Sequence, residues 1–430
     1  MITLTSTELN YLVYRYLIEE GYVHSAYVFG HETMIEDNPS VPQLQRDALK
    51  NYVIKGVEME YVEKHSNMAT GIRKCTSKYS ISTPHMCIEQ EIEIHPIYLD
   101  SQESDVSLCA WAENGEMVTG SQNCLLRLWN LPNVKKEWRV GINQNNAHGI
   151  TGVAIESDSP FGDSTRATTV VGATHSGELF VTKNEKEWKA LHGHRGPIVA
   201  VSLKGDELLT GGWDGLCKKW TIENNSLVDV KTWPLHKGAI MDILSLDPGI
   251  ITCSADGTLS CINKYPSDGQ VTKLSGHDGE INSIVEMDGR IISCSDDTKL
   301  KIWQFNKKEP LNVLNGHTQE VYSVSVAKNI FASGSFDATI GIWSPERSEA
   351  LNFLIGHEKP IYTVDFSKDQ TLLASGGLDP VAKLWDIRSN ELVKEFDIGA
   401  AIYQIKFSPT NNSLLVCSSD PRPIILDIRK

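Results

Sequence analysis

The sequence lacks the features that would place it in several large classes of protein. Its 430 residues include 40 Lys and Arg against 55 Asp and Glu, so the chain has no basic excess for sequence-independent nucleic-acid binding. No stretch approaches the ~18 uncharged apolar residues of a membrane span. The first residues also lack a cationic segment followed by an apolar one, which would indicate a secretory signal. These absences favour a cytosolic or nuclear protein.

The cysteines are equally uninformative about chemistry. All nine are scattered, and none forms a Cys-x-x-Cys pair, so neither a zinc ribbon nor a disulfide framework is indicated. Several lie in apolar strand patterns, where a free thiol packs as a small hydrophobic group. The sequence shows no nucleophile–base pair, phosphate-binding loop or metal-ligand spacing. We therefore predict no catalytic residue, no metal and no cofactor.

What the sequence does contain is a repeat of about 40 residues. Five histidines, most of them in a Gly-His dipeptide, recur every 40 to 42 residues, and the first four precede an aspartate by 20 residues. In four of the five repeats a tryptophan follows the aspartate by six residues. The pairs are His194/Asp214, His236/Asp256, His277/Asp297, His317/Asp337 and His357/Asp379. This self-similarity is the signature of WD-repeat β-propeller blades.

Weaker repeats complete the count. Two further turns bring the visible repeats to seven, at Asn123/Trp129 and Asp420/Leu426. Between the first of these and the histidine-bearing repeats lies a degenerate one, in which we place His175 at the aspartate position and Val181 at the tryptophan position. The prediction is an eight-bladed propeller, with seven blades as the alternative. Because the last repeat stops at residue 430, residues 92–99 are expected to donate the strand that closes the ring.

The repeat histidines and aspartates are predicted to have structural roles. In WD repeats the aspartate accepts a hydrogen bond from the histidine, which in turn bonds a Ser or Thr and the tryptophan indole N–H. Such a network is satisfied internally and stabilises the fold. At a spacing of about 40 residues the pairs occupy separate blades, so they cannot converge on one substrate.

The N-terminal region has a different periodicity. A capping box at Thr5 and Glu8 precedes an apolar stripe with the i, i+3, i+4, i+7, i+8 spacing of an amphipathic helix. A short second helix and a longer third one are predicted behind it. So small a bundle usually needs oligomerisation to be stable; a cap packed on the propeller is the alternative. The predicted self-association residues are Leu9, Leu12, Val13, Tyr16, Leu17, Ala26 and Phe29. The predicted organisation is a helical domain over 1–65, a linker over 66–90 and an all-β propeller over 91–430.

These features together carry a family resemblance. The run from Leu9 to Leu17, with Gly21-Tyr22, Ser25-Ala26 and Phe29, resembles the LisH motif, an α-helical dimerisation module. With an eight-bladed WD propeller that ends in Leu-Asp-Ile-Arg-Lys, the chain resembles the transducin-β-like (ebi-type) corepressor proteins of histone deacetylase complexes.

The resemblance implies a nuclear, non-enzymatic scaffold. Its N-terminal domain would form a dimer or tetramer and bind a larger corepressor, and its propeller would bind deacetylase-complex subunits or transcription factors. A histone tail is a further candidate partner, since the net charge of −15 suits a basic ligand, although an acidic excess more often serves solubility. Direct sequence-specific DNA binding is not expected. The alternative is an adaptor of another machine, either a ubiquitin-ligase substrate receptor or a dynein regulator.

Repeat register also predicts a binding surface. The residue after the first aliphatic residue of each inner strand is expected at the mouth of the central channel, and the residue before each turn aspartate reaches the same face. Tyrosines occupy the first of these positions in three consecutive blades, which predicts an aromatic arc, although one or two could simply plug the channel. The candidate partner-binding residues are Trp213, Met241, Asn282, Tyr322, Phe336, Tyr362 and Tyr403.

Overall fold

A computed structural model of the protein describes most of the chain after residue 95. The described residues are 13, 66–67, 71–72, 96–102, 104–131, 133–140, 149–157, 168–183, 189–223, 226–264, 269–410 and 413–428. Val13 is helical. The other predicted self-association residues, the three N-terminal helices as whole elements and most of the predicted linker lie outside the described residues.

The chain divides into two compact units, Met1–Ile92 and Glu93–Ile428. In the first unit, strand β1 (Ser66–Asn67) pairs antiparallel with β2 (Gly71–Ile72). This small hairpin falls within the segment predicted as a linker, where the sequence has no strand periodicity.

The second unit consists of eight four-stranded antiparallel sheets, or blades. Blades 1 to 7 each use four consecutive strands from β4 to β31, and blade 8 combines β32–β34 with β3. The strands of blades 1 to 4 are β4 (Val106–Trp111), β5 (Met117–Ser121), β6 (Leu125–Asn130), β7 (Asn133–Arg139), β8 (Ile150–Ser157), β9 (Thr168–Thr174), β10 (Glu178–Lys183), β11 (Lys189–His192), β12 (Ile198–Lys204), β13 (Glu207–Gly212), β14 (Leu216–Glu223), β15 (Ser226–Pro234), β16 (Ile240–Ser245), β17 (Gly249–Ser254), β18 (Thr258–Asn263) and β19 (Val271–Ser275). Those of blades 5 to 8 are β20 (Ile281–Met287), β21 (Arg290–Ser295), β22 (Leu300–Gln304), β23 (Asn312–Leu314), β24 (Val321–Val326), β25 (Phe331–Ser335), β26 (Thr339–Trp343), β27 (Asn352–Ile355), β28 (Ile361–Phe366), β29 (Leu372–Gly377), β30 (Val381–Asp386), β31 (Glu391–Asp397), β32 (Ile402–Phe407), β33 (Ser413–Ser418), β34 (Ile424–Asp427) and β3 (Pro96–Tyr98).

The core lies between neighbouring blades. Trp343 of blade 6 is fully buried in a cluster that also contains Ile292 and Leu300 of blade 5. The second strand of a blade is buried on both faces, so it requires small residues where the next inner strand approaches. At Gly334, for example, a Cβ atom would lie 2.8 Å from Cγ2 of Ile361 in blade 7. The small and apolar residues of each repeat therefore specify face-to-face blade packing.

The ring is closed. The innermost strands contact one another in sequence, and β32 of blade 8 contacts β4 of blade 1. Gln404 Oε1 accepts a hydrogen bond from the Cys109 backbone N–H at 2.7 Å across this junction. Strand β3 pairs with β34 and supplies the fourth strand of blade 8. The predictions of eight blades and of a closing strand from the N-terminal side are confirmed.

The register predicted for blade 2 is wrong by one residue. Ala173 pairs with Leu179 across the turn, as Gly211 pairs with Cys217 in blade 3. The aspartate position of blade 2 is therefore Ser176, and His175 lies one residue before it. Similarly, Thr182 and not Val181 occupies the tryptophan position. The turn glycine that follows Ser176, Gly177, has φ +84° and fixes this register; without an Asp or a Trp, the sequence offered no other marker.

Candidate partner-binding face of the propeller

The five predicted His–Asp pairs form hydrogen bonds in five separate blades. Each histidine Nδ1 lies 2.6–3.2 Å from an oxygen of its aspartate. Each Nε2 lies 2.7–2.8 Å from a Ser or Thr hydroxyl, on Thr210, Thr252, Ser293, Ser333 or Ser375. In four of these blades the tryptophan indole N–H donates to that hydroxyl and not to the histidine, so this detail of the predicted network is wrong.

The protonation states of these groups follow from their burial and hydrogen bonds. Burial lowers the pKa of His194, His236 and His277. Burial opposes ionisation of Asp337, but hydrogen bonds from His317, Thr339 and the Thr318 N–H outweigh it and lower the carboxyl pKa. The carboxyl pKa values of Asp214, Asp256 and Asp297 are lowered as well, and an ionised carboxylate only accepts, so in His194, His236 and His277 Nδ1 carries the proton and Nε2 of the neutral ring accepts from the hydroxyl. In blades 3 to 6 both oxygens of the aspartate then have a donor.

Asp379 of blade 7 departs from the predicted network, because only one of its two carboxylate oxygens is satisfied. Its Oδ2 lies 2.6 Å from His357 Nδ1 and accepts the Glu358 N–H at 3.4 Å. Its Oδ1 is buried and has no hydrogen-bond partner among the described residues. The prediction that every repeat network is satisfied internally is therefore wrong for Asp379.

The turn of blade 7 explains this difference. In blades 3 to 6 the backbone N–H two residues after the aspartate donates to the carboxylate. The residue in between has a φ of 62–75° in those four turns, at Gly215, Gly257, Thr298 and Ala338. Blade 7 has Pro380 at that position, and its ring holds φ at about −65°. The turn therefore takes another shape, and the Val381 N–H does not reach Asp379.

Blade 1 contains a variant of this network that the sequence reasoning missed. Gln102 is fully buried, and its side-chain amide donates to the Thr119 hydroxyl. The Trp129 indole N–H donates to the same hydroxyl at 2.8 Å, and Asn123 Nδ2 donates to the backbone carbonyl oxygen of Gln102 at 2.8 Å. Gln102 thus replaces the histidine. Thr119 precedes Trp129 by ten residues, as Ser333 precedes Trp343, and that spacing was the available signal.

Every blade has a β-bulge one residue after the start of its inner strand. A bulge leaves one residue outside the pairing and redirects its side chain. The start of the inner strand pairs with the end of the second strand, so the bulge and the following turn lie at one edge, here called the top face. The bulged residues are Ser107, Thr151, Val199, Met241, Asn282, Tyr322, Tyr362 and Tyr403, which are the positions predicted for the channel mouth.

Three of the predicted partner-binding residues form a compact group, here called the aromatic cluster. Tyr322 stacks on Phe336 with ring centroids 5.7 Å apart. Tyr362 meets Tyr322 at 5.7 Å and Phe336 at 5.6 Å, edge to face in both cases. Tyr322 is 41% exposed, and Leu378, which precedes the turn aspartate of blade 7, is 43% exposed. Blades 6 and 7 thus each have one exposed apolar side chain at the top face, while Phe336 and Tyr362 are half-buried.

The other predicted residues are distributed more widely. Trp213 is 55% exposed but belongs to blade 3, where its ring lies 6.1 Å from His175 of blade 2. Tyr403 directs its hydroxyl to Asp105 of blade 1 at 3.4 Å, and partial burial, together with that carboxylate, raises its pKa. Met241 packs against the hydrophobic cluster between blades 4 and 5. The predicted arc is therefore one cluster in blades 6 and 7 with separate aromatic groups elsewhere on the top face.

A carboxylate that the sequence reasoning missed lies beside the aromatic cluster. Asn282 Nδ2 donates to Asp296 Oδ1 at 2.7 Å and to the Val321 carbonyl oxygen at 3.0 Å. Burial, with additional contributions from Tyr362 and Asp296, raises the pKa of Tyr322. Asp296 directly precedes a turn aspartate, the position that the sequence analysis considered only where it held an aromatic residue.

Comparison with known proteins agrees with this architecture. Five segments match the WD domain (G-beta repeat) family, at residues 96–130, 185–221, 269–304, 308–344 and 348–386. The second unit is an eight-bladed WD40 propeller. Residues 7–33 match the LisH family, in the region of the predicted amphipathic helix.

The chain is also similar to several individual proteins. It is 24% identical to the human F-box-like/WD repeat-containing protein TBL1Y over 384 residues, which cover 66% of this chain and 70% of that protein. It is 27% identical to the ribosome biogenesis protein WDR12 homolog of Drosophila yakuba, over 53% of this chain and 62% of that protein. The crystal structure of the C-terminal WD40 domain of Sif2 superposes with a TM-score of 0.65 at 19% identity, over 78% of this chain and 98% of that domain. The last similarity shows the fold alone.

Two absences concern only part of the chain. Within the described ranges, no group of three or more His, Cys, Asp or Glu side chains could hold a metal ion. The same residues include no helix that is long and apolar enough to cross a membrane.

Proposed function

We propose that this protein is a non-enzymatic scaffold subunit of a nuclear histone deacetylase corepressor complex. The observation that carries the proposal is a LisH match in front of an eight-bladed WD40 propeller. That combination resembles the transducin-β-like corepressor proteins, and the similarity to TBL1Y supports it. In this assignment the deacetylase chemistry belongs to a partner.

The propeller would contribute binding surface. Its repeat histidines are buried in structural networks, which leaves exposed side chains to make contacts with partners. Clustered, exposed aromatic side chains are typical anchors of protein–protein interfaces. The aromatic cluster of Tyr322, Phe336 and Tyr362 is the candidate anchor.

The N-terminal domain would contribute self-association through the stripe that includes Leu12 and Leu17. A charged residue there would be buried unpaired in an apolar interface, at a cost of several kcal/mol. Light scattering of the full chain should therefore show an oligomer for the wild type and a monomer for Leu12→Glu. A wild-type chain that is already monomeric would contradict this part of the proposal.

Affinity purification followed by mass spectrometry tests the assignment to a complex. Recovery of a histone deacetylase with a larger corepressor would support it. Recovery of cullins or of dynein subunits would favour an adaptor of those machines. Ribosome assembly factors, which the similarity to a ribosome biogenesis protein makes a relevant outcome, would contradict the proposal.

A matched pair of variants tests the binding face. Loss of a central interface aromatic typically costs about 2 kcal/mol or more in binding, whereas changes to exposed residues hardly alter stability. Tyr322→Ala/Tyr362→Ala should keep the fold and lose propeller-dependent partners. The control is Val228→Ala/Val230→Ala on the outer strand of blade 3, where the two valines are 45% and 53% exposed. If both variants recover every partner as the wild type does, the binding face lies elsewhere.

A further inference from the structure

Acidic residues lie at the top edge of blades 5 and 6, the blades that meet at Tyr322. The backbone N–H of Asp296 donates to the Glu280 carbonyl oxygen, and that of Phe336 donates to the Glu320 carbonyl oxygen, both at 2.9 Å. Both glutamates therefore flank positions of the top face in blades 5 and 6. In the part of the chain that the structure describes, no basic side chain forms an ion pair with Asp296, Glu280 or Glu320.

Asp296 is held in a defined orientation. Its Oδ1 accepts the Asn282 amide, while its Oδ2 accepts no hydrogen bond from any described residue. The same Asn282 amide also donates to the carbonyl oxygen of Val321, the residue before Tyr322, so the carboxylate lies at the junction of blades 5 and 6 where Tyr322 begins. An oriented carboxylate beside a 41% exposed ring complements a ligand that is cationic and flat.

We propose that Asp296 and the aromatic cluster form a subsite for an arginine side chain in an extended segment of a partner protein. The proposal rests on the proposed use of the top face for binding and specifies what that face recognises. In this subsite the guanidinium would contact Tyr322 and donate to Oδ2 of Asp296, whereas an ammonium is a point charge without a stacking plane. Glu320 adds long-range attraction, and Leu378 adds apolar contact for the segment beyond the arginine.

The probe is an array of nine-residue peptides on cellulose. In each set the central position holds one fixed amino acid, and the other eight positions are degenerate. The full-length protein is applied as wild type, Asp296→Asn and Glu320→Gln. The control is Asp247→Asn/Asp288→Asn, which removes two carboxylates from the turns at the opposite edge of blades 4 and 5. Asp296→Asn keeps the acceptor for Asn282, so the fold should be retained; circular dichroism and melting temperature verify this.

The wild type and the control should retain the arginine set above the lysine set and above all neutral and acidic sets. Asp296→Asn should reduce retention of the arginine set by about tenfold or more, because a charge-assisted hydrogen bond is lost. Glu320→Gln should reduce it less. Raising the salt concentration should weaken the retention of the arginine set by the wild type.

Three results would overturn the subsite. These are the absence of an arginine preference in the wild type, an equal preference in Asp296→Asn, and stronger retention of an apolar or acidic set. If Tyr322→Ala/Tyr362→Ala loses its cellular partners while the wild type shows no arginine preference, the binding face stands and only the subsite is wrong. If that double variant recovers every partner, the proposed face itself is wrong.

Discussion

Replacing His317 with alanine separates a structural role of the repeat network from a binding role. His317 Nδ1 lies 2.9 Å from Asp337 Oδ2, and Nε2 lies 2.7 Å from Ser333 Oγ. The imidazole side chain has no exposed area and packs 5.4 Å from the Phe353 ring and 5.8 Å from the Trp343 ring, between centroids. The substitution therefore removes two hydrogen bonds and a fully buried ring.

The magnitude follows from these contacts. Two hydrogen bonds contribute about 1 kcal/mol each, and the residual cavity adds about 1–2 kcal/mol. Asp337 does not become an unpaired buried charge, because the backbone N–H groups of Thr318 and Thr339 and the Thr339 hydroxyl still donate to it. Ser333 likewise keeps the indole of Trp343. The expected loss in the free energy of unfolding is about 3–4 kcal/mol.

Urea unfolding followed by tryptophan fluorescence measures this loss, and partner binding is assayed in parallel at low temperature. The control is His192→Ala in blade 2, whose side chain is 67% exposed and which should change stability by less than about 0.5 kcal/mol. Partner binding by folded His317→Ala should equal that of the wild type. An unchanged urea midpoint with lost binding would refute the structural role.

Two further predictions concern the same networks. Gln102→Ala should lower the free energy of unfolding by about 1–3 kcal/mol, because the Thr119 hydroxyl loses a buried partner. The control is Gln122→Ala, at an exposed position of the same blade. Equal urea midpoints for the two variants would contradict the role assigned to Gln102. Lowering the pH from about 7 to about 5 should lower the melting temperature, since three repeat histidines have folded pKa values below their ordinary value of 6.5 and unfolding then takes up protons. Their contribution to stability is present above about pH 6.5 and is lost as the pH falls; a melting temperature that rose on acidification would contradict it.

Much of the fold could be predicted because its determinants are periodic in the sequence. Each turn aspartate and its histidine are specified by one blade, so they recur at a fixed spacing whatever the neighbouring blades contain. Where the residue types change, the spacing is harder to recognise. Ser176 and Gln102 occupy aspartate and histidine positions without resembling either residue, and only the strand register or a buried contact identifies them. Asp379 shows the converse. It keeps the residue type, but because Pro380 changes the shape of the turn, one of its carboxylate oxygens lacks the backbone donor found in the other blades.

The residues of the proposed binding face could be predicted in part, because register determines which residues reach an edge but not which of them meet. Bulges in all eight blades bring the predicted positions to the top face. Two of these side chains touch only when their blades are neighbours or when one stands at the bulge and the other at the turn of the same blade. Tyr322 meets Phe336 for this reason, while Trp213, three blades away, meets His175.

The same geometry explains why the charge of the face was missed. Asp296 belongs to blade 5 and Tyr322 to blade 6, and they are separated by 26 residues that form most of a repeat. Blade 5 packs on blade 6 here, and the Asn282 amide donates both to Asp296 and to the carbonyl oxygen of Val321, the residue before Tyr322. Asp296 occupies the position that holds an aromatic residue in blades 3 and 6, so repeat register alone gives no sign of a carboxylate there. The carboxylate of the proposed subsite therefore becomes apparent only from the packing of one blade on the next.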